Sequence, residues 1–134
     1  MNKEYFKDEE VYNGYYKLHP KLQEIMGLVF IWCENRNIKP VVTATMSDAD
    51  NDERLGRVSA SHQQGRAFDL RSRDWDRDLI PVFIDHFSSL YGHLGAVGLK
   101  TGLPRLIVFH DVGHGEHFHI QLNTTFNVGI KDKT

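Results

Sequence analysis

Apolar positions recur along this chain at two different periods, and each change of period marks an element. Leu22, Ile25, Met26, Val29, Trp32 and Cys33 follow i, i+3, i+4 spacing, which predicts an amphipathic helix. Pro20 suits its first turn, and Asn35 to Asn37 suit its end. After Pro40, the run Val41-Val42-Thr43-Ala44-Thr45 is short and β-branched and reads as a strand. Residues 47–57 are polar and turn-forming, which predicts a loop. Ala67-Phe68-Asp69-Leu70-Arg71 alternates and reads as a short strand. A second helical stripe runs through Ile80, Phe83, Ile84, Phe87, Leu90 and Tyr91. Asp74 or Asp78 is its candidate cap, Pro81 is tolerated only in its first turn, and Gly92 is its candidate stop. Arg105 to Asp111, centred on Leu106-Ile107-Val108-Phe109, reads as a third strand, and His117 to Leu122 as a fourth. The short connection through Gly113-His114-Gly115 predicts that these two form an antiparallel hairpin. Residues 123–134 are polar and are expected to be loose.

Two principal helices and about four short strands make an α+β domain. The chain has 134 residues, the size of a single domain spanning 1–134, with its core at about 18–122. No repeat, low-complexity run or linker divides it. The formal net charge of −2 gives no electrostatic support to a nucleic-acid partner. No stretch approaches the roughly 18 apolar residues of a membrane span, so membrane insertion is not expected. Met1 to Asp8 has no apolar core of the kind a signal peptide needs; the expectation is a monomer made in the cytoplasm. Cys33 is the only cysteine; within the helical stripe it reads as a buried, inert thiol. The aromatic N-terminal segment with Tyr5, Phe6, Tyr12, Tyr15 and Tyr16 is expected to pack over the core. The acidic run Asp48, Asp50, Asp52, Glu53 lacks the glycine and glutamate of a calcium-binding loop and reads as solvated.

Histidine is the one compositional excess: of eight, half fall at His110, His114, His117 and His119. Strand alternation puts His117, His119 and Gln121 on one face and Phe118, Ile120 and Leu122 on the other. The same rule pairs Ala67, Asp69 and Arg71 against Phe68 and Leu70. The apolar sets go to the core, and a carboxylate and two imidazoles project together into a cleft. His62, in the stretch Ser61-His62-Gln63-Gln64-Gly65-Arg66-Ala67-Phe68-Asp69, adds a further imidazole close to that carboxylate in sequence. Two imidazoles and a carboxylate suit zinc and leave a fourth position for water. Gly65 allows the chain to bend between His62 and the strand, and Ala67 keeps space near the metal. Glu116, three residues before His119, is placed to take a proton from that water. A regular strand would turn it away from His119, so it is expected in the turn before the strand, where Gly113 and Gly115 free the backbone. His110 and His114 read as rim residues, and His19, His86 and His93 as capping, surface or core histidines.

These residues resemble the zinc peptidases that include D-alanyl-D-alanine carboxypeptidases, D-Ala-D-Ala dipeptidases and phage endolysins cutting the L-alanyl-D-glutamate bond. The Hedgehog signalling domain shares their fold. His62, Gly65, Ala67 and Asp69 match the first part of the family pattern Ser-x-His-x-x-Gly-x-Ala-x-Asp. Glu116 and His119 match the acidic residue, two intervening positions and histidine that follow. The match covers roughly residues 20–122. It implies a Hedgehog/DD-peptidase-like domain, a small antiparallel sheet with helices packed on one side. It also implies that His62, Asp69 and His119 ligate zinc, that Glu116 is the general base, and that His117 bonds the substrate carbonyl or oxyanion. The chain departs from the pattern at Ala60, where the family has serine; here Ser59 and Ser61 stand on either side. It departs again at Thr45-Met46-Ser47, where the family has an arginine. Arg54 or Arg57 can substitute from the loop; Arg57 and Ser61 are the substrate-binding candidates.

The function implied is hydrolysis of bacterial peptidoglycan peptide stems. The small leaderless form favours an L-Ala-D-Glu endopeptidase of phage endolysin type, reaching the wall after release or as part of a virion. The alternatives are a D-Ala-D-Ala carboxypeptidase, a non-catalytic zinc-binding structural module of the same fold, and a hydrolase of some non-wall amide.

Overall fold

The stripe that begins at Leu22 forms a helix with the predicted ends. The computed structural model describes residues 1–46, 53–54, 61–98, 100–111, 115–126 and 128. The longer helices among these residues are α1 (Glu9–Tyr15), α2 (Pro20–Glu34) and α3 (Leu79–Tyr91). Pro20 opens α2, and the His19 ring caps it, Nδ1 accepting from the Lys21 amide at 3.0 Å. Beyond Glu34 the chain reverses at Asn37, whose φ of 57° is left-handed, a conformation asparagine tolerates. Leu22, Ile25, Met26, Val29, Trp32 and Cys33 are all buried. Burial pushes the Cys33 thiol up to about 12, which fits an inert side chain.

Among the described residues, six strands form two sheets. The main sheet has the order β1-β2-β6-β5, from β1 (Val42–Ala44), β2 (Ala67–Arg71), β6 (Glu116–Gln121) and β5 (Ile107–Asp111). All its neighbours are antiparallel, including the expected β5–β6 hairpin. A two-stranded ribbon pairs β3 (Ala96–Val97) with β4 (Pro104–Arg105). The domain is therefore mixed helix and sheet, as the periodicity predicted. One face of the main sheet carries Phe68, Leu70, Phe118 and Ile120, which join the buried sides of α2 and α3 in a single apolar cluster. Trp32 and Trp75 stack at 5.6 Å within it, and Phe83 meets Phe118 at 4.7 Å. Phe6 and Tyr15 are buried in the same cluster, so the aromatic N-terminal segment does pack on the core, which starts before residue 18.

Four expectations need correction. The third strand does not run unbroken from Arg105: Leu106 is buried, and Arg105 belongs to the ribbon. The ribbon sits tightly here, because a side chain on Gly95 would collide with the Arg105–Leu106 backbone. Leu90 is exposed; at 100° per residue it lies at the margin of the stripe centred on Ile80, Phe83 and Phe87. Asp78 occupies the N-cap position of α3 but makes no side-chain capping bond. Finally, residues 123–126 are not loose. Thr124–Phe126 forms a 3-10 turn, Phe126 meets the His19 ring at 4.9 Å, and the Val128 amide donates to Gln64 at 2.8 Å. In the predicted loop, Glu53 and Arg54 are helical; the rest of 47–57, with Arg57, lies outside the described residues, as do Ser59, Ala60, Gly113 and His114.

Candidate metal centre

Strand pairing brings the two distant motifs together. Asp69 on β2 and His119 on β6 are direct cross-strand partners, a relation that places side chains about 4.5–5.5 Å apart at Cβ. His62 arrives from the turn before β2. That turn is closed by the Arg66 amide donating to the Ser61 carbonyl at 3.1 Å, and it is tied to the start of α2 by His19 N to Gly65 O at 2.9 Å. Gly65 has φ +68°, and a side chain there would strike Val128 and the Lys17 carbonyl; only glycine fits this bend. The buried Arg66 holds the turn to the end of β6, donating from Nη1 to the Leu122 carbonyl at 2.8 Å and from Nε to Gln64 Oε1 at 2.7 Å.

His62, Asp69 and His119 each offer a ligand atom, and these atoms lie within 4.8 Å of one another. Asp69 Oδ1 is 3.2 Å from His62 Nε2 and 2.8 Å from His119 Nδ1. Donors about 2.1 Å from a tetrahedral zinc ion stand about 3.4 Å from each other, so the set has the right size for one ion. The opposite ring nitrogens are already engaged. His62 Nδ1 lies 2.8 Å from the Thr45 carbonyl, which can only accept, so Nδ1 carries the proton. His119 Nε2 lies 3.0 Å from Gln121 Oε1, while the Gln121 amide nitrogen reaches the Arg105 carbonyl at 3.5 Å. The amide therefore turns its oxygen to His119 and takes the Nε2 proton. With a metal bound, these far-side partners would leave the lone pairs of His62 Nε2 and His119 Nδ1 for the ion; without one, both nitrogens donate to Asp69. Fixing the tautomer from the far nitrogen is how metal-binding histidines are oriented.

Asp69 is 6% exposed. Burial works to raise its carboxyl; the His62 charge, the hydrogen bonds from His119 and His62, and the His119 charge outweigh it and hold the group well below the ordinary carboxylate range. Side-chain exposure is 2% for His62 but 12% for His119 and 13% for His117. Solvent thus approaches the donor set from the β6 side.

His117 shares the face of His119, as parity predicted. Its Nε2 is 3.8 Å from Asp69 Oδ2, and its Nδ1 donates to the Gly115 carbonyl at 3.0 Å. His110 on β5 is its cross-strand partner, with ring centroids 4.8 Å apart. Ser61 is fully buried, its hydroxyl 3.4 Å from His119 Nε2. It stands beside a ligand ring.

Glu116 departs most from expectation. It is the first residue of β6, paired with Asp111, and not part of the preceding turn. Its parity is that of Phe118 and Ile120, and its carboxylate pairs with Arg77 Nη1 at 2.5 Å. The Ser72 hydroxyl donates to the Glu116 carbonyl at 2.9 Å and fixes the strand start. The structure therefore gathers His62, Asp69, His119 and His117, and sets Glu116 apart from them.

Two supports of the site escaped the sequence reading. The Thr45 carbonyl is a backbone group with no residue signature. Gln121 had a signal, its shared parity with His119, but parity alone assigns no role. Comparison with protein-family models, with curated proteins and with solved structures finds no match to this chain.

Proposed function

We propose that this protein is a zinc-dependent peptidase of the Hedgehog/DD-peptidase fold, acting on the peptide stems of bacterial peptidoglycan. The observation that carries the reading is the convergence of His62, Asp69 and His119, with donor atoms within 4.8 Å. Zinc held by these three would supply a Lewis acid for the scissile carbonyl and lower the pKa of water. The resemblance extends the reading to the substrate class, with the L-Ala-D-Glu bond preferred. Access to the wall follows release from a cell or carriage on a virion, and the chain acts as a monomer. Among the described residues no helix is long and apolar enough to cross a membrane.

The chemistry needs a group that takes a proton from water as the C–O bond forms and passes it to the amide nitrogen as the C–N bond breaks. In the resembled family that group corresponds to Glu116. A second reading is favoured by the Arg77–Glu116 pair, which holds this carboxylate on the other side of the strand. His117 is already on the donor face. Its Nδ1 proton is committed to the Gly115 carbonyl, so Nε2 presents a lone pair beside Asp69. His117 as base, then as imidazolium against the developing oxyanion, requires no rearrangement, and we assign the proton transfer to it.

The test is digestion of purified peptidoglycan by the zinc-loaded protein, with released peptides identified by mass spectrometry. New amino-terminal D-glutamate is expected. Free D-alanine would mean a carboxypeptidase instead. Zinc binding with no stem bond cut would overturn the peptidase reading in favour of a non-catalytic zinc module. His117→Gln is expected to lower kcat by about 10²–10⁴-fold, the usual worth of a general base, and Glu116→Gln by less than about tenfold. The reverse ranking would return the base to Glu116.

A further inference from the structure

One cationic side chain on the donor face has no role so far. Arg71 ends β2 two residues beyond Asp69, so strand alternation returns it to the Asp69 side. Its cross-strand partner is His117, just as that of Asp69 is His119. His110 lies across from His117 on β5. Arg71, His117 and His110 therefore form one transverse row, adjacent to the row of Asp69 and His119. Arg71 is half-buried, and its guanidinium makes no hydrogen bond or ion pair among the described residues. Asp69, two residues back on the same face, is engaged by His62 and His119, and Glu116, beside His117, is engaged by Arg77.

An uncommitted guanidinium presents five donors in a planar fork that matches a carboxylate. Two residues along a strand correspond to about 6.7 Å, or roughly two residues of extended peptide; the arginine side chain spans part of that. A carboxylate gripped at this row thus lies close to a carbonyl held at the donor set. The side on which it lies follows from His117. This residue returns its proton to the leaving nitrogen, so the leaving residue sits toward the His117 row, and Arg71 shares that row.

We infer that Arg71 binds a free carboxylate on the substrate residue that supplies the leaving amine. The inference rests on the peptidase reading and specifies its substrate. Both candidate bonds meet the requirement, through the α-carboxylate of D-glutamate in L-Ala-D-Glu or the terminal carboxylate of D-Ala-D-Ala.

The experiment is equilibrium binding of non-hydrolysable ketomethylene isosteres of L-Ala-D-Glu and D-Ala-D-Ala to the zinc-loaded full chain. Each is compared with its counterpart in which that carboxylate is a primary amide. Zinc affinity is measured on every variant. The wild type is expected to bind at least one acid about tenfold more tightly than its amide, the scale of one charge-assisted bidentate contact. Arg71→Gln is expected to bind zinc normally and to lose the preference. Arg71→Lys is expected to keep part of it, because an ammonium is a point charge without the fork. Equal binding of acid and amide by the wild type would overturn the inference. So would an Arg71→Gln protein that keeps the preference, or one that no longer takes up zinc. The acid preference without hydrolysis of the parent peptides would leave the subsite standing and remove the peptidase; hydrolysis without the preference would do the opposite.

Discussion

The two faces of the main sheet are built from the same strands and answer to opposite demands. On the core face, Phe68, Leu70, Phe118 and Ile120 are fully buried in one apolar cluster. Their identity matters as volume and shape, because packing there is close to crystalline density. On the donor face, Asp69, His119, His117 and Gln121 alternate with them, and identity matters atom by atom. In both His62 and His119 one ring nitrogen faces Asp69 and the other a separate partner, and removing that partner changes which nitrogen carries the proton. A buried carboxylate would be costly on either face; between two imidazoles it is compensated. The contrast shows that β2 and β6 carry two codes in one register, one tolerant of chemistry and the other tolerant of size.

The sharpest way to break that contrast is Phe118→Ala. Deleting a fully buried ring is expected to lower unfolding free energy by about 3–5 kcal/mol, read from urea denaturation. A loss under about 1 kcal/mol would mean that the core face is not packed as described. Next comes Asp69→Asn, expected to lower zinc affinity by more than the ~10–100-fold typical of outer partners, while the circular dichroism spectrum stays native. Its pH signature has a definite sign. The Asp69 carboxyl is depressed in the folded state, so its contribution is present above the ordinary carboxylate range near about 3.9 and is lost as pH falls below it. The metal-free wild type should therefore lose stability below about pH 4, and Asp69→Asn should lack that loss; identical acid limbs would refute the pairing. A finer probe is Gln121→Leu, which removes the acceptor of the His119 Nε2 proton. Zinc affinity is expected to fall about tenfold, with a shifted imidazole nitrogen resonance and an unaltered fold. Unchanged zinc affinity would show that Gln121 does not orient the ring. The smallest effect is expected at Arg77→Ala. Its pair with Glu116 has side-chain exposures of 68% and 45%, and such surface pairs contribute about 0–1 kcal/mol. A rise in activity would reveal the pair as a restraint on Glu116.

Much of this architecture was legible in short-range pattern. The bounds of β2 follow from five alternating residues, and those of α2 from Pro20 and a regular stripe. Two of the donors, Asp69 and His119, were legible because they sit on strands whose parity is set by the phenylalanines beside them; His62, in the turn before β2, has no such parity. Long-range pairing was not legible. Glu116 was expected in a turn because only its pairing with Asp111 extends β6 back to it. The break at Leu106 depends on Gly95 and the ribbon, which no local alternation reveals. The docking of Phe126 depends on the His19 ring, far away in sequence. Arg71 was placed on the correct face by alternation, but its relation to His117 needed the register.

The facing of Asp69 and His119 on adjacent strands carries a consequence for assembly. Sliding either strand by one position would drive a carboxylate and an imidazole into the oily layer and push phenylalanines into water. A misaligned chain therefore cannot display the trio that grips a divalent ion. Cobalt colour or zinc-dye displacement, followed while denatured protein is diluted out of urea, would then time the moment at which these strands find their proper alignment.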